Sequence, residues 1–211
     1  MISLFFVGDG ARDEATVPHL VKTILQIDFS TLFQPWARLH AAERRGRPGR
    51  RLRGYGRKLL YAIRAARVAQ ADGLVATVDR DKAPAGRLRR LDEARAADRQ
   101  QAPSLPTALG EAKPHAEAWL LDDPAAVREA LELPGNAPIP SVRQSRHPKD
   151  TLHGLWERSP RREAGPEERE IAVLQDIARR VDSTRCAHRR ETGFQGFVTE
   201  VRRELGGLAG D

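Results

Sequence analysis

Apolar positions along the chain follow two periods. Residues 2–7 form a short apolar and aromatic run that Gly8-Asp9-Gly10 interrupts, as a buried strand does on entering a turn. Val17, Leu20, Val21, Ile24 and Leu25 then recur at helical spacing. This spacing predicts a helix that starts between Asp13 and Val17, with acids in its first turn and Pro18 near its start. A second strand is expected over 33–39 and a helix over 57–72, with Leu59, Leu60 and Ile63 inward. Residues 74–78 are continuously apolar, the pattern of a parallel strand covered on both faces. A charged, Ala-rich helix over 85–101 and a weaker strand over 106–110 follow, then a helical segment over 115–121. Asp123-Pro124 supplies an N-cap and a first-turn proline for a further helix ending near Leu131. Residues 133–145 form a Pro-rich connection, and helices are expected over 148–156, 167–181 and 194–205. Strand and helix alternate as far as about residue 121, which predicts an α/β fold with a parallel sheet flanked by helices. The expected division is an α/β domain over 1–131 and a mainly helical C-terminal extension over 132–211 packed on it.

Composition narrows the setting. Apolar residues make up 40% of the 211, with no run approaching the roughly 20 residues a membrane-spanning helix needs, so no membrane partner is expected. The N-terminus reads as a strand without a basic leader, so no signal peptide is expected. Cys186 is the one cysteine, which excludes an internal disulfide framework and a Cys-rich zinc site and suits a reducing cytoplasm. Charge is unevenly spread. Residues 38–67 hold eleven Lys or Arg against the single acid Glu43, a net +10, while the whole chain carries +7. An acidic body therefore carries a basic strap, and basic straps attract phosphate backbones through counterion release. Arg44, Arg45, Arg47, Arg50, Arg51 and Arg53 are the candidate nucleic-acid contacts; the competing interpretation is a solvated Arg-rich loop.

Acids follow both of the clearest strands. Asp9 and Asp13 lie at the first strand-to-helix turn, and Asp79 and Asp81 lie two apart at the end of the central apolar run. Ligands in open α/β sheets bind beyond the carboxyl ends of the strands. Residues i and i+2 of an extended segment point the same way, so Asp79 and Asp81 can face one ion. Carboxylates gathered in one place repel unless a cation neutralises them, and oxygen-only ligands suit Mg²⁺ or Mn²⁺ rather than zinc. Lys82 and Lys113 are candidates for stabilising negative charge in a transition state.

Three stretches carry a resemblance. Val7-Gly8-Asp9-Gly10-Ala11-Arg12-Asp13-Glu14 resembles the E-G-x-T-[DE] opening of Toprim domains, and Thr77-Val78-Asp79-Arg80-Asp81 resembles the Toprim strand followed by D-x-D. Glu117-Ala118-Trp119-Leu120-Leu121-Asp122-Asp123-Pro124 resembles the E-x-W-L-L-x-D-P stretch of an uncharacterised Toprim-like bacterial family, similar to the nuclease domain of overcoming-lysogenisation-defect nucleases. Phe194 and Phe197 are similar to that family's end. The resemblance implies a Toprim-like sheet and a Mg²⁺- or Mn²⁺-dependent nuclease or related phosphoryl-transfer protein. It implies metal binding by Asp9, Asp79 and Asp81, and catalytic parts for these three with Asp13 and Glu117; Glu14 is a close substitute for Asp13. It also implies nucleic acid as substrate, a partner ATPase and a place in phage defence. Asp9 stands where the family carries Glu, about 1.5 Å shorter in reach, and Arg12 stands where it carries Thr.

Other classes remain. Nucleotide-sugar glycosyltransferases also carry D-x-D after an apolar strand, but give no role to the early acidic turn. Dehalogenase-type phosphatases carry it on their first strand, whereas here it comes at residue 79. The substitution at Asp9 keeps a non-catalytic Toprim-like module, binding nucleic acid or docking to a partner, as the alternative function. Replacing the six arginines named above by neutral residues is expected to weaken nucleic-acid binding. It should lower the log–log salt slope by up to roughly 5, at about 0.9 per duplex phosphate contact. An unchanged slope in a fluorescence titration would identify the strap as a solvated loop.

Overall fold

The computed structural model describes residues 1–40, 52–80, 86–100, 103–164 and 167–209, with no side-chain description for residues 40, 163–169 and 209. The sheet is built from β1 (Ser3–Gly8), β2 (Ser30–Pro35), β3 (Gly73–Asp79) and β4 (Thr107–Ala112). All pairings are parallel, in the order β2-β1-β3-β4. The first connection carries α1 (Ala11–Leu25), the second α2 (Tyr55–Val68) and the third α3 (Arg87–Arg99). The fold class is the expected one: an α/β fold with an all-parallel sheet flanked by helices and a helical C-terminal region.

Strand polarity follows from burial on both faces. Leu4, Phe6, Val75 and Ala108 pack on one face with residues of α1 and the C-terminal helices, whereas Phe5, Val7, Leu74, Ala76, Val78 and Leu109 pack under α2 and α3 on the other. Successive residues of a strand point to opposite faces, so a strand covered on both sides needs apolar residues throughout and shows no alternation. The edge strand β2 differs. Ser30, Thr31 and Leu32 are exposed, so its apolar signal is weak and the strand expected over 33–39 runs from Ser30 to Pro35 instead. Its ladder continues one step further, where Trp36 N–H donates to the Gly8 carbonyl at 2.9 Å. Arg38–His40 then forms a short 3-10 turn. Helix α2 ends earlier than the 57–72 pattern predicts, and Gln70 takes a left-handed conformation at φ 55° before the chain enters β3.

The C-terminal region is held to the sheet by packing and by buried acids. It contains α6 (Pro148–Trp156), α7 (Glu167–Arg180) and α8 (Phe194–Leu205), and α4 (Glu117–Leu121) and α5 (Pro124–Ala130) lead into it from β4. Helix α7 packs on α1, and α8 lies against β4. Trp119 of α4 stacks on Phe197 with ring centroids 4.8 Å apart, and its Nε1–H donates to the Thr192 carbonyl at 2.8 Å. Asp123 accepts from Ala126 N–H at 3.2 Å as the α5 cap, from Asp182 N–H at 2.9 Å, and from the Arg185 guanidinium. Asp122 accepts from His188 N–H at 2.9 Å. Most of the Trp-containing block is therefore structural, joining α4 and α5 to the loop before α8. Among the described residues, no helix is long and apolar enough to cross a membrane.

Two glycines give opposite expectations. A Cβ at Gly193, which sits at φ +84°, would lie 2.1 Å from the Glu111 carbonyl oxygen. Gly193→Ala should therefore cost more than about 1 kcal/mol of stability, since both conformation and space oppose it. At Gly196, inside α8, nothing lies within 4 Å of an added Cβ. Gly196→Ala should stabilise by about 0.5–1 kcal/mol through helix propensity. Urea midpoints of the two variants check this pair.

Candidate active site

The strand order places the site. From β1 the chain moves one way to β2, then crosses back to β3 on the other side of β1. Helices leave the two strands on opposite faces, and a crevice opens beyond the carboxyl ends of β1 and β3. Asp9 follows the end of β1 and Asp79 is the last residue of β3. Asp79 N–H points to Asp9 Oδ2 at 3.4 Å.

Asp13 joins them by folding back. It lies in the first turn of α1, and its Oδ2 accepts the Asp9 N–H at 2.6 Å. The approach needs Gly8, because a Cβ there would stand 2.6 Å from Asp13 Oδ2 and 2.7 Å from Asp13 Cβ. Glu117 enters from the start of α4 and is buried. Arg12 bridges it to the C-terminal region: Nη1 lies 3.2 Å from Glu117 Oε1 and Nη2 lies 2.9 Å from Glu170 Oε1 on α7. His115, in the turn after β4, places Nδ1 3.2 Å from Asp79 Oδ2. Asp9, Asp13, Asp79, Glu117, Arg12, His115, Glu170 and Lys149 of α6 all line one cleft of about 510 Å³.

Crowding shows in the carboxyl groups. Burial pushes the Asp13 pKa up to about 8; repulsion from Asp79, Asp9 and Glu117 adds to the rise, and the Asp9 N–H opposes it. Burial also raises Asp79, to about 6, with the His115 hydrogen bond lowering it and Asp9 and Glu117 raising it further. Nearby, burial and Asp9 raise the Tyr55 phenol while Arg87 opposes the rise.

Of the residues singled out in the sequence, Asp9, Asp13, Asp79 and Glu117 share the cleft. Glu14 is exposed, one residue beyond Asp13 on α1, and is not among the cleft residues. Lys113 lines a separate pocket beside β4 with Glu111 and Arg190. Arg53 is exposed just before α2. Asp81, Lys82, Arg44, Arg45, Arg47, Arg50 and Arg51 lie outside the described residues. His115, Lys149 and Glu170 carried no motif. His115 alone had a local signal, since it follows the carboxyl end of a parallel strand.

The donor chemistry fits a hard cation. Side-chain oxygens dominate the cleft, and the Asp9 and Asp79 carboxylates meet at two strand ends with Asp81 two residues further on. Among the described residues, no group of three Asp, Glu, His or Cys side chains forms a ready-made metal cage. Asp79 and Glu117 are instead engaged by His115 and Arg12. No family model, curated protein or solved structure matches the chain.

The raised carboxyls set an unusual pH dependence. The Asp13 pKa goes from its ordinary value of 3.8 to about 8 on folding, so between these values the native state holds more protons than the unfolded one. Stability of the metal-free protein should therefore fall as pH rises from about 4 to 8, by at most about 1.4 kcal/mol per pH unit for this one group. Asp13→Asn should melt higher than wild type at pH 8 and lose most of the decline between pH 6 and 8. Parallel profiles by differential scanning calorimetry in EDTA would contradict this.

Proposed function

We propose that the protein is a Mg²⁺- or Mn²⁺-dependent nuclease, acting on phosphodiesters of nucleic acid. The observation that carries the reading is the meeting of Asp9, Asp13, Asp79 and Glu117 in one cleft at the switch point of a parallel sheet. The resemblance of their surrounding segments to Toprim motifs supports it, as does the basic composition of residues 38–67.

In this reading Asp9 and Asp79 hold the cation, with Asp81 as a further ligand. Bound there, Mg²⁺ or Mn²⁺ supplies polarisation of the scissile phosphate and a lowered pKa for a water. Asp13 fixes the Asp9 backbone through its 2.6 Å hydrogen bond, and His115 orients the Asp79 carboxylate. Arg12 holds Glu117 in place, so that this carboxylate can take a proton from the attacking water. Lys149 brings a positive charge to the cleft, the part first assigned to Lys82 or Lys113.

The test is cleavage of single-stranded and duplex DNA and RNA with Mg²⁺ or Mn²⁺. Wild type should cleave at least one of them. Asp79→Asn should lose at least about 10–100-fold, since even an outer partner of a metal site commonly costs that much. Mn²⁺ should also raise the melting temperature of wild type, because a ligand bound only by the native state stabilises it, and Asp79→Asn should lose that rise. Binding of nucleic acid without cleavage, also with a partner ATPase added, would favour the non-catalytic module.

A further inference from the structure

Beside the acidic cleft stands a group of cations with an unusual support. Trp36 is fixed to both strands that carry the aspartates: its N–H donates to the Gly8 carbonyl at 2.9 Å, and its Nε1–H to the Thr77 carbonyl at 2.7 Å. The Tyr55 ring meets it edge-on, with centroids 5.4 Å apart. Two cations lie against the Tyr55 ring, Lys58 Nζ and the Arg87 guanidinium, each 5.0 Å from its centroid. Arg87 Nη1 also donates to the Asp79 backbone carbonyl at 2.6 Å, which ties the group to the rim of the cleft.

Lys58 has no carboxylate partner among the described residues, and Arg87 is bound to a carbonyl rather than to a carboxylate. Some arginines of the protein are paired with acids, as Arg12 is with Glu117 and Glu170 at the cleft itself. A ring face holds a cation in place without cancelling its charge, and a guanidinium fork keeps further N–H groups for planar recognition of phosphate. The repulsive acids of the cleft lie next to this rim, so an anion held here would be close to the cleft while its charge is met by Lys58 and Arg87.

We propose that Lys58 and Arg87, positioned on the Tyr55 ring, form a phosphate site beside the acidic cleft that holds a phosphodiester flanking the one to be cleaved. The proposal rests on the nucleic-acid reading above and deepens it. A substrate must then carry at least two neighbouring phosphates, so a polynucleotide rather than a mononucleotide fits the protein.

The experiment is a fluorescence titration of labelled single-stranded and duplex oligonucleotides in EDTA over a range of salt concentrations. The Lys58→Gln/Arg87→Gln double variant should bind more weakly. Its log–log slope should fall by about 1.8 on duplex or about 1.4 on single strands, for two contacts at about 0.9 or 0.7 each. Tyr55→Phe keeps the ring and should bind like wild type, whereas Tyr55→Leu should weaken binding in the direction of the double variant. The Mn²⁺-induced melting shift, measured on the same proteins, separates the two ideas and shows that the variants are folded. A reduced slope supports the phosphate site, and does so even if wild type shows no Mn²⁺ shift, in which case the metal reading alone fails. An unchanged slope in the double variant overturns the phosphate site, even where metal binding and cleavage are intact.

Discussion

The direct pairing of β1 with β3, which brings carboxylates together at the ends of two neighbouring parallel strands, is the constraint on which the site depends. Asp9 and Asp79 are brought together because β1 and β3 pair directly, and Asp13 is added because the chain turns at once into α1. Burial in this cleft, with the neighbouring carboxylates adding to it, raises the pKa values of Asp13 and Asp79. Gly8 is the local condition for this arrangement, since any side chain there would occupy the place of Asp13.

The C-terminal region serves this centre as well as the core. Trp119, Phe194 and Phe197 cover the sheet next to β4, while Asp122 and Asp123 bind the loop that precedes α8. This packing positions α6 and α7 so that Lys149 and Glu170 reach the cleft. Arg12 links α1, α4 and α7 through two ion pairs that are only partly exposed, where screening by solvent is weaker than on an open surface. A cleft at the carboxyl end of the sheet thus gains walls from a part of the chain far away in sequence.

Charge is sorted by position. Acids occupy the strand ends, and the cations around them are Arg12, paired with two acids, Lys149 in the cleft itself, and Lys58 and Arg87, held on an aromatic face.

The sequence by itself determined the α/β class, the positions of β1 and β3, most helices, and the acids that end both strands. These are readable because a strand buried on both faces must be apolar throughout, and because acids directly after such runs stay at the carboxyl end of the sheet whatever the rest of the chain does. The same local information misplaced β2, an edge strand whose exposed Ser30, Thr31 and Leu32 need no apolar pattern. It also grouped Lys113 with the acids, although the turn after β4 sends that side chain into another pocket. Only the tertiary structure decided that Glu117 faces Arg12, that Glu170 and Lys149 come to the cleft from the C-terminal region, and that Tyr55 stands beside Asp79 with two cations against its ring. Those contacts join residues far apart in the chain, and the packing of helices on the sheet creates them; no period or motif in either partner encodes the other.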